Sequence, residues 1–221
     1  MYVKTWMTEN PITVGRYTSI FDAQEIMRDN NIKHLPVLEG KRIVGIISKS
    51  DLLEASPSGA TTLSVHELHY LLSKMKVGEI MTEHPFNVTP DTHIEIAAMN
   101  MKKYKVASLP VVDPETGDLV GIITESDIFG ALIEIMGVGE GGTRLSLDLE
   151  HKPGMLAGAI EIIKEHGTNM LSIVSGPSET GESRRTIVIR LETKEATAIV
   201  RELEEKGYGV SATVEEAKGQ A

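Results

Sequence analysis

The feature that most constrains this chain is that its first 130 or so residues are written twice. Met7-Thr8-Glu9-Asn10-Pro11-Ile12-Thr13-Val14 returns as Met81-Thr82-Glu83-His84-Pro85-Phe86-Asn87-Val88, and Ile32-Lys33-His34-Leu35-Pro36-Val37 returns as Val106-Ala107-Ser108-Leu109-Pro110-Val111, each 74 positions on. Gly45-Ile46-Ile47-Ser48-Lys49-Ser50-Asp51 returns as Gly121-Ile122-Ile123-Thr124-Glu125-Ser126-Asp127, 76 positions on, the extra two residues falling in the intervening turn. That turn, Glu39–Arg42 in the first copy and Asp113–Asp118 in the second, lies between Val- and Ile-rich runs and predicts a β-hairpin. Ile20, Ala23 and Met27, and then Ile94, Ala97, Ala98 and Met101, are spaced as the apolar stripe of a helix ahead of each hairpin. Each copy therefore reads strand, helix, strand, strand, helix, the last helix starting near Asp51 or Asp127. A unit of about 50 residues with a half-covered sheet cannot bury its apolar face alone, so the two copies are expected to pack face to face.

Composition narrows the chemistry. With no cysteine among 221 residues, disulfide frameworks, thiolate metal sites and cysteine nucleophiles are all excluded. A formal net charge of −10 repels phosphate backbones and anionic membrane surfaces, so neither nucleic acid nor membrane is an expected partner. No apolar run is long enough to cross a bilayer and no secretory core opens the chain, which predicts a cytoplasmic protein.

The string Gly-Ile-Ile-Ser/Thr-x-Ser-Asp gathers hydroxyls and free amides where a strand gives way to a helix. Such an N-terminus favours an anion, and a short carboxylate can accept from two ribose hydroxyls. The alternative is that Ser50, Asp51, Ser126 and Asp127 merely cap their helices. The doubled Pro-x-x-Val opening, Leu-Pro-Val strand and Ser/Thr-x-Ser-Asp exit resemble the CBS domain family, over about residues 1–135. The resemblance implies a paired Bateman module in which the Asp holds an adenosine ribose and the Ser/Thr residues approach its phosphates. It further implies cross-repeat sites: Ser48, Ser50 and Asp51 facing His84, Pro85, Phe86 and Lys105, Val106 and Ser108; and Thr124, Ser126 and Asp127 facing Asn10, Pro11, Ile12, Ile32, Lys33 and His34. Ile12 and Phe86 read equally as core or as base-lining residues. Many members carry Arg just before the Asp, where this chain has Ser50 and Ser126. AMP or S-adenosylmethionine is therefore the expected regulatory ligand, ahead of ATP.

Between the copies, Ser64-Val65-His66-Glu67 reads as a capping box ahead of Leu68, Leu71, Leu72 and Met75 at helical spacing. His66 and His69 lack the spacing of a zinc-protease helix, and no metal site is expected. Gly137–Gly142 formally matches G-x-G-x-x-G, but it follows a helix (Phe129–Met136) and precedes a strand (Arg144–Leu149), the reverse of a dinucleotide fold, and reads as a flexible linker.

Beyond it, strand, helix (Met155–His166), strand (Thr168–Val174), strand (Arg185–Leu191), helix (Ala196–Lys206) and strand (Gly209–Val214) predict a ferredoxin-like βαββαβ sheet with both helices on one face. Pro153-Gly154-Met155-Leu156 and Asn169 resemble the ACT domain family. That implies amino-acid binding at a subunit interface through Gly154, Met155, Leu156, Asn169 and Met170. His151, where amino-acid binders carry Asp or Asn, leaves simple dimerisation as the equal alternative. The expected boundaries are a first CBS repeat at 1–60, a connecting helix at 61–79, a second repeat at 80–136, a linker at 137–142, an ACT domain at 143–216 and a tail at 217–221, in an α+β fold. This order resembles the acetoin-utilisation regulatory proteins (the B component), which implies a role in carbon metabolism. The reading is of a homodimeric, non-catalytic sensor that acts on a regulated enzyme and needs no cofactor. The alternatives are a structural dimeric scaffold without ligand, or a module cut from a larger protein.

Overall fold

The computed structural model describes residues 1–55 and 65–217 and divides the chain into two compact units, Met1–Phe129 and Gly130–Ala221. The α+β class expected from the periodicity is the one found.

In the first unit, β1 (Thr8–Glu9), β2 (Val14–Gly15), α1 (Ile20–Asp29), β3 (His34–Glu39), β4 (Arg42–Ser48) and α2 (Lys49–Glu54) form the first copy. After α3 (Val65–Lys74) come β5 (Thr82–Glu83), α4 (Ile94–Tyr104), β6 (Ser108–Val112), β7 (Leu119–Thr124) and the start of α5 (Glu125–Ile135), whose residues from Gly130 on belong to the second unit. The hairpins form where the turn residues demanded them: Gly40 and Gly117 adopt φ of +65° and +74°, and the Asp113 carboxylate accepts from the amides of Glu115 and Thr116. The opening strand of the second copy shrinks to a single parallel bridge between Val88 and Val111. The expected cap Ser64 lies outside the described residues, as do the side chains of His66, Leu68 and His69. Leu72 of α3 is buried in the core of the first copy with Ile20, Leu35, Ile47 and Leu52.

The sheets do not follow the copies. One has the order β2-β3-β4-β5 and the other β1-β7-β6, so each repeat lends its short strand to the other's sheet. Thr8 pairs with Ile122, and Thr82 pairs with Ile46. A methionine beside each borrowed strand packs onto a glycine of the receiving strand. A Cβ built on Gly45 would lie 2.4 Å from Met81 Sδ, and one on Gly121 would lie 2.6 Å from Met7 Sδ. Only a bare Cα lets the flexible thioether lie flat on the strand.

In the second unit β8 (Gly142–Glu150), α6 (Met155–Glu165), β9 (Met170–Pro177), β10 (Arg184–Leu191), α7 (Thr197–Glu205) and β11 (Gly209–Glu215) make an antiparallel sheet of order β11-β8-β10-β9. Alternate residues Leu145, Leu147 and Leu149 bury against Ala159, Ile163, Ile199 and Leu203, so both helices cover one face. The opposite face, with Ser146, Asp148, Thr186 and Val188, is a shallow open depression.

The glycine segment expected as a linker forms a hydrogen-bonded turn at the end of α5. Gly137, at φ +61°, donates to Glu134 O and Val138 donates to Ile133 O, the pairing that closes a helix C-terminus. Met136 O accepts from Ser172 Oγ at 2.9 Å and Arg190 Nε at 3.0 Å. Gly142 already belongs to β8, and a Cβ there would lie 2.1 Å from Leu191 O.

Gly45→Ala should cost about 1–3 kcal/mol, because the added methyl must displace the middle of the Met81 side chain. In urea denaturation, combining it with Met81→Ala should cost less than the sum of the single changes. Strict additivity would show that the methionine is not locked on the glycine.

Candidate functional site

The strand exchange carries the segments after β1 and β5 across to the opposite repeat, and a cavity opens beside each. The first is about 510 Å³. Ser48, Ser50 and Asp51 line it from the β4–α2 corner, Pro85 and Phe86 from the crossing segment, and Lys105, Val106 and Ser108 from the start of β6. The second, about 430 Å³, is lined by Pro11 and Ile12 from the other crossing segment, Ile32, Lys33 and His34 at the start of β3, and Thr124 and Ser126 at the β7–α5 corner. Asp127 is the one expected residue that does not line it. Ile12 and Phe86 are 42% and 53% exposed, so neither is a core residue.

At the first corner the cap is Ser48, with Asp51 as its reciprocal partner three residues on, and the helix starts at Lys49 instead of near Asp51. Asp51 N donates to Ser48 Oγ at 3.2 Å, while Ser48 N and Oγ both donate to Asp51 Oδ2 at 2.7 Å. The second corner repeats this: Thr124 N and Oγ1 donate to Asp127 Oδ2 at 2.7 and 2.8 Å. The capping and ligand readings of the aspartate are thus compatible, because the cap occupies one carboxylate oxygen and holds the group rigid.

Four non-glycine residues among those described have a left-handed backbone: Asn10, Asn31, His84 and Lys105, with φ of 47°, 52°, 48° and 55°. They are two pairs related by the repeat, and every one lines a cavity. Asn31 and Lys105 turn the chain out of α1 and α4, with Ile32 N donating to Met27 O and Val106 N to Met101 O. Glycine suits such a position best, and the chain instead places polar side chains there at a modest conformational cost.

The lining residues that the sequence reading missed include Asn31 and Glu125 in the second cavity and Tyr104 in the first. Tyr104 lines the first cavity and stacks on Phe86, with ring centroids 3.6 Å apart and planes 13° apart. The scarcity of aromatics, 3 Phe and 5 Tyr in the chain, was the available signal. His34, assigned to one site, lines both.

The five positions in the second unit are not gathered in the same way. Gly154 is exposed at the α6 N-terminus with φ +89°; Met155, Leu156 and Met170 pack against the core; and Asn169 donates to Glu192 at 2.9 Å. Neither cleft of this unit contains any of them.

A family model for the CBS domain matches residues 3–58 and 77–134, and one for the ACT domain matches residues 143–207. The chain is 35% identical over 157 residues to the uncharacterized protein MJ1426 of Methanocaldococcus jannaschii, a match covering 60% of this chain and 92% of that one. It is 31% identical over 126 residues to the inosine-5′-monophosphate dehydrogenase of Korarchaeum cryptofilum, covering 57% of this chain but only 23% of the enzyme, so it spans less than a quarter of that relative. The CBS domain pair of protein MJ0100, solved with 5′-methylthioadenosine and S-adenosyl-L-methionine, is 30% identical with a TM-score of 0.50 and covers 60% of this chain and 99% of that one. A candidate acetoin utilization protein (AcuB) of Vibrio cholerae is 31% identical with a TM-score of 0.51, covering 63% and 96%.

His34 carries an electrostatic consequence. Burial pushes its imidazole below the ordinary value of 6.5, Asp51 and Glu125 oppose the shift and Lys33 adds to it. Because the folded pKa is depressed, the unfolded chain binds more protons than the folded one as the pH drops from the ordinary value of 6.5 towards the depressed one, and stability falls over that window. Between about pH 7 and about pH 5, the urea midpoint of the native protein should fall more steeply than that of His34→Gln. Equal slopes would show that another group controls the acid limb.

Proposed function

Because the chain belongs to the CBS domain family and carries an ACT domain behind its repeat pair, we propose that it is a non-catalytic regulatory protein that senses an adenosine-type ligand. The observation that carries this reading is the convergence on one cavity of Ser48, Ser50, Asp51, Pro85, Phe86, Lys105, Val106 and Ser108, drawn from three separate stretches of chain. A volume of about 510 Å³ suits a small ligand of nucleoside size, and the lining mixes apolar walls with a few convergent polar groups. The ligands of the MJ0100 pair support an adenosine compound, AMP-like or S-adenosylmethionine-like.

In this reading Asp51 and Asp127 accept from the ribose, and Ser48, Ser50, Thr124 and Ser126 approach the 5′ group. Phe86 packs against the base. Asp127 would then act from the rim of the second cavity, whose described lining does not include it. The ACT domain serves as a dimer clamp. The core packing of Met155, Leu156 and Met170 and the ion-dipole pairing of Asn169 with Glu192 favour that over amino-acid capture. A ligand that prefers one arrangement of the dimer shifts its population, and a partner enzyme that reads the arrangement is regulated. In this reading the protein works in the cytoplasm, and the likeness to AcuB supports a role in acetoin or related carbon metabolism.

Titration calorimetry with AMP, ADP, ATP and S-adenosylmethionine tests the reading. At least one should bind, and Asp51→Ala or Asp127→Ala should weaken it about tenfold or more, the scale of a hydrogen bond to a charged group. Failure of all four to bind the native protein would leave a structural scaffold as the better description.

A further inference from the structure

The two cavities are related by the repeat, but their charges are not. Lys49 and Glu125 occupy equivalent positions, each the first residue of its helix, but only Glu125 lines its cavity; Lys49 is not among the residues lining the first. The match is geometric as well: Lys49 N donates to Lys33 O at 2.8 Å, and Glu125 N donates to Ala107 O at 3.0 Å. Glu125 lines the second cavity, is exposed, and enters no ion pair among the described residues.

The left-handed positions sharpen the contrast. In the first cavity they hold His84 and Lys105, an imidazole and an ammonium. In the second they hold Asn10 and Asn31, whose amides can hydrogen-bond but cannot neutralise an anion. The first cavity's own carboxylates are engaged. Glu83 pairs with Arg16 at 3.2 Å, and Asp51, with one oxygen held in its cap, keeps the other for the ribose, away from the 5′ group. In the second, the ammonium of Lys33 is opposed by Glu125.

We infer that the two cavities divide their ligands by charge: the first takes a phosphorylated adenosine, the second an adenosine with an uncharged or cationic 5′ substituent, and Glu125 sets the difference. The inference rests on the reading that both cavities hold adenosine ligands. A carboxylate on the wall repels a phosphate and attracts a sulfonium or amine. At an exposed position the effect is on the order of tenfold in affinity at low ionic strength, and it fades as salt screens it.

Calorimetry on the full chain with AMP, 5′-methylthioadenosine and S-adenosylmethionine, at low and at high salt, separates the possibilities. The native protein should bind one AMP per chain, with a second at least about tenfold weaker, while S-adenosylmethionine or 5′-methylthioadenosine still binds with AMP in place. Glu125→Lys should raise the second AMP affinity about tenfold and weaken S-adenosylmethionine at that site, with both changes shrinking in high salt. Glu125→Gln should lie between, and it carries the test if the charge reversal fails to fold. Two equal AMP sites in the native protein, or AMP binding indifferent to both substitutions, would overturn the division by charge and leave the adenosine reading intact. If none of the three compounds binds, the adenosine reading itself falls, and the division falls with it.

Discussion

The first unit depends on one packing constraint, the seating of Met7 and Met81 on Gly121 and Gly45. Each contact fastens a two-residue strand to a sheet built by the other repeat, and two-residue strands have too few ladder bonds to hold by themselves. The thioether supplies buried apolar contact where backbone pairing is minimal, and the glycine supplies the space. One wall of each cavity lies just downstream of that anchor. Asn10, Pro11 and Ile12 reach the second cavity, and His84, Pro85 and Phe86 reach the first, because the strands before them have been carried across.

Once the crossing is made, the cavities follow from backbone geometry more than from individual side chains. The left-handed residues after α1 and α4 turn the chain directly into β3 and β6, and the cap at Ser48 or Thr124 ends a strand and starts a helix within one residue. These corners are common to both repeats, so the shape of the sites is shared. What differs between them is chemistry placed on a common frame: an aromatic pair, Phe86 on Tyr104, where the other repeat has Ile12 and Asn30, and a carboxylate, Glu125, on the wall of the second cavity, where the equivalent Lys49 does not line the first.

Much of this was legible in the sequence because a repeat is a comparison a chain carries within itself. Residues that matched across 74 positions were the ones that met in space, and the amphipathic spacing of Ile20, Ala23 and Met27 located the core face. Tyr104 escaped because its counterpart is Asn30, so the repeat gave no signal there. The strand exchange escaped because Thr8–Glu9 and Thr82–Glu83 are fully exposed and show no apolar alternation. In the second unit the βαββαβ order could be read, but β9 runs on to Pro177, since polar Ser175 and Gly176 are held in register by β10 and not by burial. Asn169 looked available for a ligand because its partner, Glu192, lies 23 residues away, just past the end of β10.

The borrowed strands also set an order of assembly during synthesis. Thr8 leaves the ribosome early, yet its partner Ile122 is made more than a hundred residues later, so the N-terminal strand must wait unpaired until the second hairpin emerges. The first repeat likewise lacks its edge strand until Thr82 is available. Neither repeat is therefore a unit that evolution or an experimenter can excise cleanly. Each repeat completes the other's sheet, which makes the pair, and not the single repeat, the folding unit of this part of the protein.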